Sequence, residues 1–163
     1  MNKYPLAKSY KLCEVQLKLS RNDNHPAVKI RNPGDLYRIV SPLLNNEVRE
    51  TLICVAFNGE GIAAIEVVSQ GSSSFAIALA REVFKTILLS NSTDFILVHN
   101  HPSGNIEPSH EDRGVVKTMC KAGEIMCANL LDFMIVSPRG YYSILESEPG
   151  LIKTKHDSED YGG

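Results

Sequence analysis

Two histidines, a serine and an aspartate stand close together near the middle of the chain: His99, His101, Ser109 and Asp112. The apolar stretch Asp94–Val98 before them predicts a short buried strand. Because alternate side chains of a strand share a face, the two histidines should point the same way. Two imidazoles and a carboxylate leave one tetrahedral position free, as in catalytic zinc sites. A structural zinc site would need four ligands, usually with cysteine, and no cysteine lies near this segment.

The residues between the second histidine and the serine are typical of a loop. They are rich in proline, glycine and asparagine: Pro102, Ser103, Gly104, Asn105 and Pro108. Ser109 is a good N-cap for the polar and apolar periodic segment that runs to about Cys127, so we predict a helix there. Asp112 then falls in the first turn of that helix.

Read together, His99-Asn-His-Pro-Ser-Gly104 and Pro108-Ser-x-x-Asp112 form one extended motif. The motif resembles that of the JAMM (MPN-type) metal-dependent hydrolases, and within them the bacterial RadC-like proteins. Arg81–Lys85 and Leu130–Asp132 extend the resemblance, which runs from about residue 32 to residue 145.

The resemblance implies a zinc hydrolase that cleaves an amide bond, with one Zn²⁺ per chain held by His99, His101 and Asp112. It also implies that Ser109 donates a hydrogen bond to the tetrahedral oxyanion. The alternative role for this serine is that of a helix cap alone. In the family, an upstream glutamate at the start of a strand is the general base. Glu50 matches that position best, and the alternatives are Glu47 and Glu66.

Two further polar residues are candidates for supporting the site from outside the ligand set. Asn100 should point away from the histidines if the strand persists, which predicts a residue that braces a loop. Asp132 is a candidate to support the metal ligands. It is followed by Phe133 where RadC-like sequences commonly have histidine, and this departure removes a polar group from the region.

Less specific explanations exist for each of these features. A lone histidine on an apolar strand is usually a core residue, and a Pro-Ser-Gly loop is usually only a turn. The contiguous letters His-Asn-His carry no weight for the nucleases named after them, whose three residues are dispersed through a longer motif. Four features in the right order and spacing are much harder to obtain by chance.

Strands and helices interleave along the chain, which predicts an α/β domain with helices on both faces of one mixed sheet. Asn32-Pro33 should start a helix, and residues 50–57 and 62–68 should form a hairpin of two largely buried strands. A helix over residues 75–89 and strands over 130–136 and 141–145 complete the order. The resemblance implies the three-layer α/β/α, cytidine-deaminase-like fold. A deaminase would also need His-x-Glu and Pro-Cys-x-x-Cys, and the sequence has neither.

We divide the chain into three parts. Residues 1–31 form an N-terminal extension with an alternating edge strand at Tyr10–Leu19, residues 32–146 form the JAB/MPN domain, and residues 147–163 form a polar tail. The extension is basic: it holds seven of the 17 Lys and Arg residues but only two of the 19 Asp and Glu residues. The rest of the chain holds the other ten basic and seventeen acidic residues. Scattered lysines on a solvated strand explain this as well as nucleic-acid contact does, so charge supports nucleic-acid binding only weakly.

Composition is that of an ordinary globular protein, with 43% apolar and 22% charged residues. The N-terminal residues lack the apolar core of a signal peptide, and no apolar run approaches the roughly 20 residues that span a bilayer. We therefore expect a cytoplasmic protein without membrane contact, with its four cysteines reduced.

Two classes of function follow. The first is a metallopeptidase or isopeptidase-like hydrolase acting on a peptide or protein substrate. The second is a non-catalytic RadC-like module in DNA repair, recombination or mobile-element biology. RadC proteins commonly carry a helix-hairpin-helix module associated with DNA binding, and this sequence lacks its glycine-containing signature. The intact ligand set and the candidate glutamate favour the hydrolase.

Overall fold

The computed structural model describes residues 30–44, 47–59, 61–71 and 76–152, without the side chains of residues 76–78. The predicted strand at Tyr10–Leu19 and the end of the chain beyond residue 152 lie outside the described residues. The elements follow in this order: α1 Pro33–Leu44, β1 Thr51–Asn58, β2 Gly61–Gln70, α2 Ala76–Leu89, β3 Asp94–Asn100, α3 His110–Met126, β4 Asn129–Ser137, β5 Gly140–Ser143, α4 Ile144–Ser147 and a 3-10 turn at Pro149–Leu151.

The five strands form one sheet in the order β2-β1-β3-β4-β5. β1 is antiparallel to both β2 and β3, β3 and β4 run parallel, and β5 is antiparallel to β4. The sheet is mixed, as predicted. Strand β3 is central, and the chain leaves its carboxyl end through a loop and α3 to reach the parallel strand β4.

Helices cover both faces of the sheet, which confirms the predicted three-layer arrangement. On one face, apolar side chains of α2 and α3 pack against alternate residues of the strands, including Phe95, Leu97 and Phe133. On the other face, α1 packs against the intervening residues, among them Val98 and Met134. The central strand is therefore buried on both sides, as its apolar composition requires.

The start of α1 also follows the sequence prediction. The backbone N–H of Asp35 donates to the side-chain oxygen of Asn32 at 3.0 Å, and Pro33 occupies the first helical position. Asn32 therefore satisfies one of the amide groups that a helix leaves without an internal partner. Pro42 lies inside the last turn, and the helix ends two residues later.

Strand β2 differs from the prediction. The hairpin forms as expected, and β1 is buried along most of its length. β2, however, lies at the edge of the sheet and is mainly half-buried or exposed; Val67, for example, is 56% exposed. An apolar run is compatible with either position, and only the strand order decides which one it takes.

The C-terminal boundary was also placed too early. The final strand ends at Ser143, and α4 begins at Ile144 instead of continuing the strand to Leu145. Residues 147–152, which the sequence assigned to a polar tail, are folded, and Ile152 is only 1% exposed in the core cluster beneath α2 and α3.

Asp132 holds this C-terminal turn in place. Its carboxylate accepts hydrogen bonds from the Ser143 hydroxyl at 2.6 Å and from the backbone N–H groups of Phe133 and Leu145 at 2.7 and 2.9 Å. Burial raises the pKa of the Asp132 carboxyl, and these hydrogen bonds offset only part of that effect.

No helix among residues 30–152, as far as the structure describes them, is long and apolar enough to cross a membrane.

The backbone after the end of α3 passes too close to residue 123 for a side chain larger than that of glycine. A Cβ atom at this position would lie 2.3 Å from the backbone oxygen of Ala128, whereas a Cβ at Gly114 in the same helix would meet nothing within 4 Å. We expect Gly123→Ala to lower the free energy of unfolding by about 1–3 kcal/mol. The matched control Gly114→Ala should raise it by roughly 0.5–1 kcal/mol, because alanine favours a helix interior. Urea denaturation measures both, and equal effects of the two substitutions would contradict the close approach.

The raised pKa of Asp132 predicts a pH-dependent stability difference. The unfolded chain ionises this group near its usual pKa of about 3.9, whereas the folded protein ionises it at a higher pH. Relative to Asp132→Asn, the wild type should therefore lose stability as pH rises between these two values, and the difference should then stay constant. Asparagine keeps one oxygen that can accept both N–H groups.

Urea unfolding of both proteins from pH 4 to pH 7 measures this difference. Asp132→Ala, which removes every acceptor, should be destabilised by about 2–4 kcal/mol across the range. A pH-independent difference between wild type and Asp132→Asn would show that burial does not control this carboxyl.

Candidate metal centre

The end of β3 presents both histidines on the face that α3 covers. His99 has the same strand parity as Phe95 and Leu97, which point into the core beneath α2 and α3. The backbone N–H of His101 donates to the Val136 oxygen at 3.4 Å, so pairing with β4 continues past the last residue of the strand. The two imidazole rings therefore lie side by side, with centroids 4.9 Å apart and planes at 82°.

Helix α3 supplies the carboxylate. Ser109 is its N-cap, as predicted, and its hydroxyl oxygen accepts from the backbone N–H of Asp112 at 3.1 Å. The Asp112 carboxylate in turn accepts from the backbone N–H of Ser109 at 2.8 Å, which completes a capping box. The cap thus fixes the rotation of the first helical turn and aims Asp112 at the histidines.

The three side chains converge at one point. Nδ1 of His99 lies 3.1 Å from Oδ1 of Asp112, and Nε2 of His101 lies 3.6 Å from Oδ2. Ligand atoms of all three residues lie within 4.8 Å of one another. Zinc bonds of about 2.0–2.1 Å at tetrahedral angles would separate neighbouring ligand atoms by roughly 3.3 Å, so the spacing fits a single metal ion.

The charge state of the centre suits a cation. Burial alone would raise the pKa of Asp112, but hydrogen bonds involving His101, His99 and Ser109 outweigh it and hold that pKa far below its usual range. The same hydrogen bond with Asp112 raises the pKa of His101, against the opposing effect of burial. A carboxylate that stays ionised while 5% exposed calls for a positive charge beside it, and a divalent metal ion would supply one.

The tautomer of His101 is also set for metal binding. Its Nδ1 lies 2.8 Å from the backbone oxygen of Asn105, and a carbonyl oxygen can only accept a hydrogen bond. Neutral His101 therefore carries its proton on Nδ1 and leaves the lone pair of Nε2 facing Asp112. The turn that brings Asn105 there includes Gly104, whose φ of +80° favours glycine.

Ser109 faces Asp112 in this structure. Besides accepting from the helix backbone, its hydroxyl donates to Oδ2 of Asp112 at 2.6 Å. Capping and support of a metal ligand are thus combined in one side chain. The predicted donation to a substrate oxyanion would need the hydroxyl to turn away from Asp112.

Of the three candidate glutamates, Glu50 is the one that the sheet register relates to the histidines. Leu52 pairs with His99 in antiparallel register, and the same register continued by two residues would place Glu50 opposite His101. Its negative charge contributes to the raised pKa of His101. Glu50 is exposed and directly precedes β1, as the sequence predicted.

The carboxylates of the other two glutamates accept hydrogen bonds from other side chains. The Glu66 carboxylate accepts from the Thr86 hydroxyl at 2.6 Å, on the part of β2 that faces α2. The Glu47 carboxylate accepts from the Gln70 amide at 3.1 Å.

Asn100 braces a loop, as its strand parity predicts. It is 4% exposed, and its side chain bonds to the backbone of the segment from Glu47 to Thr51, which leads into β1. The histidines and the asparagine of one tripeptide therefore act on opposite faces of the sheet.

Asp132 does not support the centre, contrary to expectation. It pairs with Ile96, three residues before His99, which corresponds to about 10 Å along the strand. Its hydrogen bonds to described residues lie at the turn into α4. Phe133 is buried, and its ring packs edge-on against His99 with centroids 6.5 Å apart. An apolar ring therefore lies where RadC-like sequences commonly have histidine.

The sequence analysis missed the network around Arg113. This guanidinium donates to both carboxylate oxygens of Glu148 at 2.8–3.2 Å and to the Pro108 oxygen at 2.6 Å, and the Tyr142 hydroxyl also donates to Glu148. It ties the loop before Ser109 to the C-terminal turn. A separation of 35 residues between the two ionic partners leaves no local sequence signal for the pair.

A cleft of about 380 Å³ opens beside the centre. Asn100, His101 and Pro102 line it on one side, and Glu47 and Val48 on another. One metal-ligand candidate therefore borders a space into which part of a substrate could extend.

Comparison with known families settles the relationship. The family model for the RadC-like JAB domain matches residues 30–151. This chain belongs to the RadC-like JAB domain family. The match covers β3, its loop and α3, and therefore includes all three ligand candidates, and it ends one residue before the buried Ile152.

Relatives of this RadC-like chain occur in archaea and bacteria. It is 33% identical over 141 residues to a UPF0758 protein of Methanosarcina mazei, which is 86% of this chain and 61% of the relative. It is 36% identical over 138 residues to one of Pelodictyon phaeoclathratiforme, covering 84% and 60%, respectively. A relative in Clostridioides difficile is 34% identical over 120 residues, or 73% and 51%. The chain thus spans about half to three fifths of the length of these relatives.

The convergence of the three side chains predicts one metal ion per chain. We expect wild type reconstituted with zinc and then desalted to retain about one equivalent, and His99→Ala and Asp112→Ala to retain less than a tenth of that. Elemental analysis measures the metal, and circular dichroism checks the fold. His110→Ala is the matched control, since His110 begins α3 outside the ligand set and should leave the metal content unchanged. A wild-type protein that stays metal-free would contradict the site.

Proposed function

We propose that this RadC-like JAB domain is a zinc-dependent hydrolase that cleaves a peptide or isopeptide amide bond in a protein or peptide substrate. The observation that carries the proposal is the convergence of His99, His101 and Asp112 on one point, with two nitrogens and one oxygen as ligands. Such a set leaves a coordination position free for chemistry. A zinc ion held there would supply the Lewis acid that polarises the scissile carbonyl and makes water acidic near pH 7.

Glu50 is the general base in this proposal. It takes a proton from the attacking water as the water oxygen bonds to the carbonyl carbon. It then passes a proton to the leaving nitrogen as the carbon–nitrogen bond breaks, so the products are a carboxylic acid and an amine. Its support is the register that, continued by two residues, would place it opposite His101, and its electrostatic effect on that imidazole. The exposure of Glu50 leaves its carboxylate accessible to a substrate.

Ser109 has two successive tasks in this proposal. Without substrate it holds Asp112 through its hydroxyl and backbone N–H, at 2.6 and 2.8 Å. With substrate bound, rotation about Cα–Cβ would let the hydroxyl donate to the oxyanion, while the backbone N–H keeps Asp112 in place. Because the hydroxyl must first leave Asp112, its contribution should be smaller than that of a preorganised oxyanion donor, which is worth about 2.7–4 kcal/mol.

Phe133 supports the chemistry by excluding water from one side. Its ring, 1% exposed, packs against the imidazole of His99. Electrostatic interactions strengthen where water is excluded, so this apolar contact strengthens the effect of Asp112 on His99.

The proposal predicts a specific loss of activity in Glu50→Gln. Because glutamine cannot accept the proton, kcat on a panel of peptide and isopeptide substrates should fall by about 10²- to 10⁴-fold, with zinc content unchanged. Glu66→Gln is the matched control, since it makes the same change at a glutamate that does not line the cleft and keeps a side-chain acceptor for the Thr86 hydroxyl. It should stay within about threefold of wild type.

The outcomes separate the elements of the proposal. A loss in Glu47→Gln but not in Glu50→Gln would place the base at residue 47. A zinc-loaded wild type that hydrolyses no amide on the panel would contradict the hydrolase, and a non-catalytic RadC-like module would then be the better description.

A further inference from the structure

Asn100 stands between the two histidines in sequence but acts on the other side of the sheet. It is 4% exposed, and its three side-chain hydrogen bonds to described residues all go to one short segment. Its oxygen accepts from the backbone N–H of Thr51 at 2.6 Å, and its amide nitrogen donates to the oxygens of Glu47 and Arg49 at 3.3 and 3.1 Å. A buried amide committed to one neighbour holds that neighbour in place.

The segment needs such a clamp because it lies outside the ladder of the sheet. β1 begins only at Thr51, so residues 47–49 precede the strand and Glu50 lies at its edge. The bonds of Asn100 end on Arg49 and Thr51, the residues directly before and after Glu50. A further bond from the backbone N–H of Gly71 to the Glu50 oxygen, at 2.8 Å, holds the residue itself. The backbone of Glu50 is therefore fixed from both sides.

We infer that Asn100 is a positioning residue that sets the distance between the Glu50 carboxylate and the imidazoles of His99 and His101. The inference rests on the proposed function, because it assigns a purpose to the place of Glu50. Its physical basis is that the ligands and the clamp are consecutive residues at one strand end. A shift of the strand would move the histidines and the Glu47–Thr51 segment together, so their relative geometry is preserved.

The chemistry of the side chain explains why this position holds an amide. The clamp needs one acceptor, for the Thr51 N–H, and donors for the two carbonyl oxygens. Aspartate has the acceptor but would place a negative charge against both carbonyls, and alanine has neither. Catalysis is sensitive to this placement, because a displacement of about 1 Å at a reacting group can cost 10²-fold in rate.

The first test is kinetic. In Asn100→Ala, kcat should fall by about 10- to 100-fold with KM changed less than threefold, and Asn100→Asp should fall at least as far. In the Glu50→Gln background, where no base remains to be positioned, adding Asn100→Ala should lower kcat by less than about threefold. Asn129→Ala is the matched control: it removes an amide bonded to Asp94 at 2.6 Å at the other end of β3 and should leave kcat unchanged.

A purely structural role predicts other results. If Asn100 only stabilises the fold, Asn100→Ala should lower kcat by the same factor with and without Glu50. Asn129→Ala should then also lower kcat, provided that it reduces stability by the same amount. If Asn100 mainly supports the ligands, zinc content should fall in Asn100→Ala. Either pattern overturns the inference.

The second test needs no turnover and so separates this inference from the hydrolase. Co²⁺ loaded in place of zinc should broaden the NMR signal of the Glu50 side-chain carboxyl carbon in the wild type and broaden it less in Asn100→Ala. Backbone amide exchange of Thr51 should become faster in the same variant. If the broadening is unchanged, or if Co²⁺ does not bind the wild type, Asn100 does not position Glu50 toward a metal. If the broadening decreases while the wild type cleaves no amide, the positioning stands and the hydrolase fails.

Discussion

The carboxylate of Asp112 is the group on which the centre and its surrounding fold both depend. It accepts from the backbone N–H of Ser109 and so completes the cap of α3, and it faces both imidazoles at the end of β3. A carboxylate 5% exposed would be costly without such partners, since burial disfavours its charged form. The start of the helix and the charge of the centre are therefore one feature, and a change in either would alter the other.

The alternation of a strand organises the rest of the site. His99 faces α3 and the core cluster beneath it, whereas Asn100 faces the segment that leads into β1. A single strand end thus presents the candidate metal ligands on one face and the hydrogen bonds of Asn100 to the Glu47–Thr51 segment on the other. The parallel pairing of β3 with β4 continues to His101, which keeps this division up to the last ligand. Rigid strands hold such groups more accurately than loops do.

Local chemistry made much of this predictable. The apolar run before His99, the Pro- and Gly-rich loop and the Ser109 cap each act within a few residues, and the strand, loop and helix formed where they indicated. The predictions that failed concern residues whose structure depends on partners far away in the sequence. β2 is as apolar as a buried strand, but strand order places it at the edge. The four-residue helix α4 is too short for a periodic pattern, and Ile152 is one apolar residue in a polar stretch, so neither predicted folding beyond residue 146.

The role of a polar residue could likewise be predicted only where its sequence neighbours determine that role. Asn100 could be interpreted from strand parity alone, because its neighbours in sequence determine which face it occupies. Asp132 could not, since its partners Ser143 and Leu145 lie on the turn into α4, and the motif suggested a place near the ligands instead. Arg113 and Glu148 meet only because the C-terminal turn packs beside α3.

The family match includes both halves of the described core. It spans residues 30–151, within which Ile30 packs beneath α1, and it ends next to the buried Ile152. The Arg113–Glu148 pair joins the loop before Ser109 to the turn that leads to Ile152, so this loop is held by residues late in the domain as well as by β3. The three ligand candidates, the Ser109 cap and the partners of Asn100 all lie within the residues that the family model matches. The proposed chemistry therefore uses residues of the matched domain alone, which spans only part of the relatives' length.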